Sequence, residues 1–450
     1  MLFHQLIAVA AVASGLASAL TDLGPVKGLN RRLAKSTQCV VPANGNGSDD
    51  TPAILAAFDK CKTDGHIVFE NVTYHIGQVM KTTDLNNVKI DIKGTLLWSK
   101  NTTYWLENSL PIGYQNQTTA WVLGGKHLDV NGFGYGTFDG NGQTWYDLVK
   151  GESNYPNRPH ALLLEGAEDS VFEGLRFVQA QMWTVTITRS ERVLLQDIYV
   201  NNTSSNRNPA RNTDGANTMF SDNIHFRRWT VKNGDDCIAT KANSTNILIE
   251  DVEFHDGQGV AIGSIGQYAG QFETIENVTV RNVLAHGSRY AGRIKTWTGE
   301  QLGYPPNGGG AGLGCKSCLQ TIAGWDCADF TPDAKNLSKT KLIITNLGWD
   351  NVTIYDAEQA PIYVMQCITY NGQQGNCSSS LFDISNISFT NFHGTLQGSR
   401  VAYLQCSRAH GGCDDVRIEN MNFTNISVDP PTPATGYRCS NINDPEGFVC

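Results

Sequence analysis

Short runs of alternating apolar residues return along most of this chain at spacings of roughly twenty to thirty residues, a periodicity that few folds can accommodate. They read Val171-Phe172-Glu173-Gly174-Leu175-Arg176-Phe177, then Val193-Leu194-Leu195-Gln196-Asp197-Ile198-Tyr199. Further copies are Ile224-His225-Phe226, Ile247-Leu248-Ile249, Val278-Thr279-Val280, Val352-Thr353-Ile354, Ile387-Ser388-Phe389 and Val416-Arg417-Ile418. The first five begin at 171, 193, 224, 247 and 278, and so lie 22, 31, 23 and 31 residues apart. Period-two alternation with β-branched residues, repeated at this interval after short Asn- or Asp-bearing turns, is the signature of a solenoid. A β-sandwich would need hairpin turns about every 8–12 residues, which the chain lacks. Helical periodicity is nearly absent after residue 60. We therefore expect an all-β, single-domain, right-handed parallel β-helix with coils from about 66 to 428.

Before the coils, residues 50–58 form the one convincing amphipathic helix, with Asp50 or Thr51 as N-cap and Pro52 in the first turn. It is expected to close the open end of the solenoid. Two stretches interrupt the coils, residues 145–160 and 296–339, and loops of such length are commonly functional. Residues 315–340 show no coil pattern.

In a solenoid, residues one repeat apart stack about 4.8 Å apart on the same face. Asp214, in Asn212-Thr213-Asp214, precedes Asp236 by 22 residues, and Asp236 follows Asp235 in Gly234-Asp235-Asp236-Cys237. Gln258 lies another 22 residues on, and Arg293-Ile294-Lys295 follows a coil later, with alternation aiming both cations to one side. An isolated Asp-Asp pair is usually a solvated turn. Three stacked carboxylates beside a cationic pair suit acid/base cleavage of a glycosidic bond, with a grip for an anionic sugar.

Composition narrows the setting. An apolar run over residues 6–13, ending in Ala17-Ser18-Ala19, reads as a secretory signal peptide over residues 1–19, leaving 20–450 as the enzyme domain. Arg31-Arg32 reads as a solvated basic pair or a second processing site. Fourteen Asn-X-Ser/Thr sequons, among them Asn71, Asn101, Asn277, Asn351 and Asn425, and twelve cysteines agree with secretion. Proximity in sequence suggests bridges Cys39–Cys61, Cys367–Cys377, Cys406–Cys413 and Cys439–Cys450. Cys237 reads as packed inside a coil. Cys315-Lys316-Ser317-Cys318 has redox or zinc spacing but no second pair to complete it, and the ten histidines show no ligand spacing, so no metal is expected. A net charge of −9 argues against nucleic acid as a partner. No membrane partner is expected, and the protein is expected to be a monomer.

The ordered combination Asn212-Thr213-Asp214, Gly234-Asp235-Asp236, Gly257-Gln258-Gly259 and Arg293-Ile294-Lys295 resembles glycoside hydrolase family 28, the pectin-degrading polygalacturonases and rhamnogalacturonases, over roughly residues 38–425. The resemblance implies a parallel β-helix that hydrolyses with inversion and uses no cofactor. It implies Asp235 as general acid, Asp214 and Asp236 as the groups that hold and deprotonate water, and Arg293 and Lys295 as the clamp on a galacturonate carboxylate on the leaving side. Asn212 joins them in substrate binding. The separation rule alone would assign retention to carboxylates one coil apart; the inverting outcome comes from the resemblance.

The chain departs from that family's pattern at Gln258, where polygalacturonases carry His. Gln258 can hydrogen-bond a sugar hydroxyl but cannot become a cation. Together with the flanking residues 260–268 and the loop at Trp297, this resembles the exo-acting members, especially exo-rhamnogalacturonases. The expected activity is release of one terminal α-linked sugar from galacturonate in pectin, with α-L-rhamnose favoured over α-D-galacturonate. An inactive polysaccharide-binding β-helix and a structural solenoid are the readings from other classes. Among weaker candidates, Tyr370 is equally a leaving-side subsite residue or rim packing. Lys241 reads as a solvated lysine in preference to a substrate contact. Trp183 and Trp297 stack either on sugar rings or within the coil.

Overall fold

Parallel pairing governs the computed structural model of the protein, which describes residues 37–268, 272–299, 319–321, 324–326, 342–369 and 375–450. Val193 pairs with Ile224, and the ladder continues through Ile247, Val278, Leu347 and Ile387 to Val416. All seven side chains are buried, each stabilising the coil by about 1.5–3 kcal/mol. Among the described residues thirty strands join into one continuous sheet that winds as a right-handed parallel β-helix, the hand that twisted parallel strands adopt. The leader over residues 1–19, the pair Arg31-Arg32, Tyr370, and Cys315, Cys318 and Cys327 lie outside the described residues.

One face carries the site. It runs through Leu162–Glu165, Val185–Thr188, Ala216–Met219, Ile238–Thr240, Val260–Ile265, Gly292–Trp297, Ile362–Ile368, Arg400–Gln405 and Gly436–Ser440, each strand parallel to the next. The turns between faces are built by asparagine. Asn246, Asn277, Asn346 and Asn386 hold left-handed φ angles of 52–58°, which a short amide side chain tolerates best. The Asn246 amide donates to Asp222 one coil earlier at 2.7 Å, and each later amide donates to the preceding Asn, Asn277 to Asn246 at 3.1 Å and Asn346 to Asn277 at 2.9 Å.

The structure corrects several details. Val171 faces Leu194, and it is Ser170 that stands level with Val193. A one-residue slip inverts which side chains enter the core, so in the first repeat Phe172, with Leu175 and Phe177, is buried and Val171 is not. Val352 aligns with Val283 and belongs to a different face from Ile387. The coils also extend further, because Thr37–Val40 pairs with Gly65–Phe69 at one end and Gly436–Ser440 pairs with Arg400–Gln405 at the other.

A helix, α1, spans Thr51–Lys60 and buries Ile54, Ala57 and Phe58. Phe58 meets Trp121 edge-on at 5.8 Å. Asp50 is its N-cap residue, as expected, but its carboxylate accepts from the Asn44 and His75 amides and makes no capping bond; Asp49 accepts from the Thr51 amide at 3.0 Å. Among the described residues two further α-helices, α2 over Thr102–Asn108 and α3 over Gly142–Val149, escape periodicity because each spans about two turns. Helix α3 occupies the start of the stretch read as a polar loop, with Trp145 and Tyr146 buried. The four inferred disulfides are present.

Candidate active site

The site is set by register. Ala216 pairs with Ile238, Ile238 with Val260, and Val260 with Gly292. Two positions before these strands, Asp214, Asp236 and Gln258 stand in line. The Gly215 amide donates to the Asp236 carbonyl at 3.1 Å and the Cys237 amide to the Gly259 carbonyl at 2.9 Å, which locks that alignment. Gly215 is required where the coils press together, since a Cβ there would lie 2.3 Å from the Cys237 carbonyl oxygen. Gly257 and Gly259 both hold left-handed φ near 65°, so Gln258 is presented on a tight turn. Cys237 is buried and free, packed within the coil.

The three carboxylates differ in environment. Asp235 is 9% exposed against 3% for Asp214 and 1% for Asp236, so it is the one most open to an incoming group. Its Oδ2 accepts from the Asn212 amide and side chain, each at 3.2 Å, and its Oδ1 from the Asp236 amide at 3.0 Å. Burial and then the neighbouring Asp236 raise its pKa. Asp214 is raised well above the carboxylate range, by burial and then by Asp235 and Asp236. Burial acts on Asp236 as well, but Lys295, Arg293 and Lys241 outweigh it and hold that carboxyl below its usual value. The trio thus combines two carboxyls shifted toward the protonated form with one shifted toward the ionised form, the division of labour that acid/base catalysis requires. Asp214 Oδ1 and Asp236 Oδ1 are buried and find no protein partner.

Lys295 donates to Asp236 Oδ2 at 2.6 Å, and both residues are buried. Arg293 Nη1 donates to Gln258 Oε1 at 2.6 Å, while Gln258 Nε2 donates to Asp235 Oδ1 at 3.3 Å. Gln258 therefore bridges the cation and the carboxylate, a contact the sequence did not suggest. Arg293 also lies 4.9 Å from the Tyr290 ring centre. Asp214, Asp235, Asp236, Asn212, Gln258, Arg293 and Lys295 are brought together; Tyr370 lies outside the described residues.

Lys241 overturns its expected place in solvent. It is buried, its Nζ 4.7 Å from the Trp183 ring centre and 3.4 Å from the Gly263 carbonyl it donates to. Burial and Lys295 lower its pKa, against Asp214, Asp236 and Asp235. The signal was available: Lys241 precedes Gly263 by one 22-residue repeat, and Gly263 pairs with Lys295. Trp183 stacks on His160 at 4.4 Å, and Trp297 is buried. Burial, then Lys241 and Arg158, keep His160 neutral by holding its pKa well below the usual imidazole value; its Nδ1 meets Thr186 Oγ1 at 2.8 Å.

Residues after α3 build a wall at the Asn212 end. The Asn154 amide donates to Asn212 Oδ1 at 2.7 Å and Ser153 Oγ to the same atom at 3.3 Å. Arg158, fully buried, donates to the carbonyls of Gln181 and, at 2.9 Å, Arg211. Below the wall, Pro159–His160 pairs with Thr118–Thr119, which pairs with Leu110–Pro111. Nothing in the sequence flagged Arg158 or His160, because a loop carries no period from which to infer placement.

A sequence model described as glycosyl hydrolases family 28 matches residues 66–303 and 329–450. The chain belongs to that family. It is accordingly a glycoside hydrolase of the pectin-degrading group. It is 46% identical over 415 residues to the α-L-rhamnosidase rgxB of Aspergillus niger, covering 92% of this chain and 90% of that protein. Against the exopolygalacturonase of Cochliobolus carbonum it is 34% identical over 419 residues, covering 91% and 84%. In fold it matches the endo-xylogalacturonan hydrolase of Aspergillus tubingensis with a TM-score of 0.73 at 22% identity, over 92% of this chain and 98% of that one. The polygalacturonase of Erwinia carotovora matches with a TM-score of 0.63 at 16% identity, over 91% and 97%.

Proposed function

We propose that this family-28 hydrolase is a secreted, monomeric, inverting exo-enzyme that releases terminal α-L-rhamnose linked to galacturonate in the rhamnogalacturonan backbone of pectin. The observation that carries this reading is the asymmetry of the site. The loop hydrogen-bonded to Asn212 stands in the coil of Asp214 and in this reading forms a wall, while Arg293 stands two coils beyond that of Asp236, past the carboxylates. A terminal sugar fits against the wall, and an acidic sugar fits against Arg293, whose planar guanidinium suits a bidentate carboxylate. Gln258, neutral and already bonded to Arg293, adds no cation beside the scissile bond. The similarity to an α-L-rhamnosidase supports the same sugar.

In this reading Asp235, protonated and the most accessible, donates its proton to the glycosidic oxygen. Asp236, kept ionised by Lys295, takes a proton from water held between Asp236 Oδ1 and Asp214 Oδ1. The water oxygen forms the new bond to the anomeric carbon as the bond to the leaving oxygen breaks, inverting that centre. Asp214 holds the water and serves as the weaker proton acceptor, since its own carboxyl favours the protonated form. Asn212 orients Asp235 through two hydrogen bonds.

One observation favours a second reading. The Lys241 ammonium lies buried among the carboxylates, where it could pair with a terminal galacturonate, as an exopolygalacturonase would need. A rhamnosyl-galacturonate disaccharide and digalacturonate, assayed side by side with identification of the released sugar, decide between them. Cleavage of digalacturonate alone rejects rhamnose. Mid-chain cuts in homogalacturonan reject exo action altogether.

A further inference from the structure

Beyond Arg293, toward the C-terminus, the site face carries a line of outward aromatic and cationic side chains that the proposed reaction does not use. Arg293 pairs in register with Tyr363, Tyr363 with Tyr403, and Tyr403 with Arg438, one coil apart each time. Their strand neighbours Ile362, Val364, Ala402 and Leu404 are buried in the coil, so alternation turns this row outward. Tyr363 and Tyr403 stack with ring centres 4.8 Å apart and planes 15° from parallel. Tyr290 joins them at 4.9 Å from Tyr363. Arg438 and Arg400 flank the far ring, 5.3 and 5.8 Å from the centre of Tyr403.

Both tyrosines are half-buried, and Arg400 and Arg438 are exposed. Among the described residues, none of Arg293, Arg400 and Arg438 pairs with a carboxylate, although the chain carries 43 acidic residues and a net charge of −9. Arg400 and Arg438, left without acidic partners, continue from Arg293, whose charge acts on Asp236, and the three form a local positive track along one stripe of an acidic protein. Three coil steps make it about 14 Å long, further than one sugar ring can reach. Self-packing accounts for the stacked rings and for the guanidinium contacts, but not for the absence of a carboxylate paired with Arg400 or Arg438 among the described residues.

We propose that Tyr363, Tyr403, Arg400 and Arg438 form distal subsites for the leaving part of an acidic pectic chain, with sugar faces against the tyrosines and galacturonate carboxylates against the arginines. The proposal rests on the exo reading above and extends it: the preferred substrate is a chain, not a disaccharide. Both homogalacturonan and rhamnogalacturonan offer the required uronate groups.

The test has two arms. First, kcat/KM is measured on oligosaccharides of two to six sugars from each polymer, for the wild type and for R400Q/R438Q and Y403A, with thermal melts to confirm folding. The wild type is expected to prefer the hexasaccharide, and the ratio of hexasaccharide to disaccharide is expected to fall by about 2–30-fold in R400Q/R438Q, the range for two exposed ion pairs. Second, calorimetry measures hexasaccharide binding to D235N and to D235N/R400Q/R438Q at low and high salt. A weaker, less salt-dependent interaction in the latter is expected. An unchanged length ratio together with unchanged hexasaccharide affinity overturns the proposal. If the wild type cleaves no oligosaccharide, the catalytic reading fails, and the calorimetric arm alone decides whether the track binds acidic chains. The polymer whose hexasaccharide shows the larger loss is the one the track serves.

Discussion

Lys295 and Asp236 share a buried ion pair with 2.6 Å between Nζ and Oδ2. A lysine so engaged keeps the carboxylate charged in a site that burial would otherwise neutralise, whatever else it does for substrate. Removing it leaves an unpaired buried charge, a change that typically costs about 3–5 kcal/mol. Lys295→Ala is therefore expected to depress activity on natural substrate and on a synthetic aryl rhamnoside alike, and to lower the melting temperature. Arg293→Ala is expected to penalise the natural substrate selectively, because only that substrate presents a carboxylate. Equal selectivity for both variants would show that Lys295 acts on the sugar and not on Asp236.

Asp235→Asn keeps shape and most hydrogen bonds but cannot supply a proton. Turnover is expected to fall by roughly 10²–10⁴-fold, the usual contribution of general acid catalysis, with binding of the oligosaccharide retained. Single-turnover kinetics and calorimetry on the same variant check both halves. Near-normal turnover would remove Asp235 from the mechanism.

Asp214 offers a test through stability. Its carboxyl is raised in the folded state above the ordinary 3.8, so the folded protein retains a proton that the unfolded chain releases. The destabilisation is absent below the unfolded value and grows as pH rises through the folded one. Asp214→Asn should consequently raise the melting temperature at pH 7 and leave it nearly unchanged at pH 3, while reducing activity at every pH. A stabilisation that grew toward low pH would contradict the assignment.

Glu273 behaves alike at higher pH. Burial lifts its carboxyl to about 7, and it accepts from the Gly266 amide at 2.6 Å at the end of a site strand. Stability is expected to decline from the unfolded value of 4.5 upward and to have lost this contribution fully above pH 7. Glu273→Gln should be more stable than wild type at pH 8 and equal to it near pH 4, as differential scanning calorimetry can show.

The sequons divide by burial. Asn71 is exposed, whereas Asn202 is 1% exposed and its amide donates to Thr184 Oγ1 at 2.8 Å and the Thr213 carbonyl at 3.3 Å. Peptide mass spectrometry after expression in a secreting eukaryotic host is expected to find glycan on Asn71 and none on Asn202. A glycan on Asn202 would mean that its amide is accessible during folding.

Where the chain repeats, the sequence was readable. The 22-residue interval placed Asp214, Asp236 and Gln258 on one line because a parallel coil has only one register that buries Val193, Ile224 and Ile247 together. The same arithmetic applied to Lys241 would have placed it level with Gly263, one coil short of Lys295 and on the site face, and only its residue type, usually solvated, argued otherwise. Sequence was mute on Gln258 as a bridge from Arg293 to Asp235, since side-chain partners depend on rotamers and not on spacing. It was equally mute on Arg158 and His160, whose positions follow from how a non-repeating loop folds back on Asn212.

That loop has a bearing on traffic through the groove. On the proposed exo reading, the freed sugar is left between the loop of residues 153–158, tied to Asn212, and a long polymer still seated beyond Arg293. Escape must be sideways, or must wait for the polymer to back away. Turnover on long chains is then paced by clearance of the small product, and added monosaccharide should inhibit the enzyme more strongly on polymer than on disaccharide.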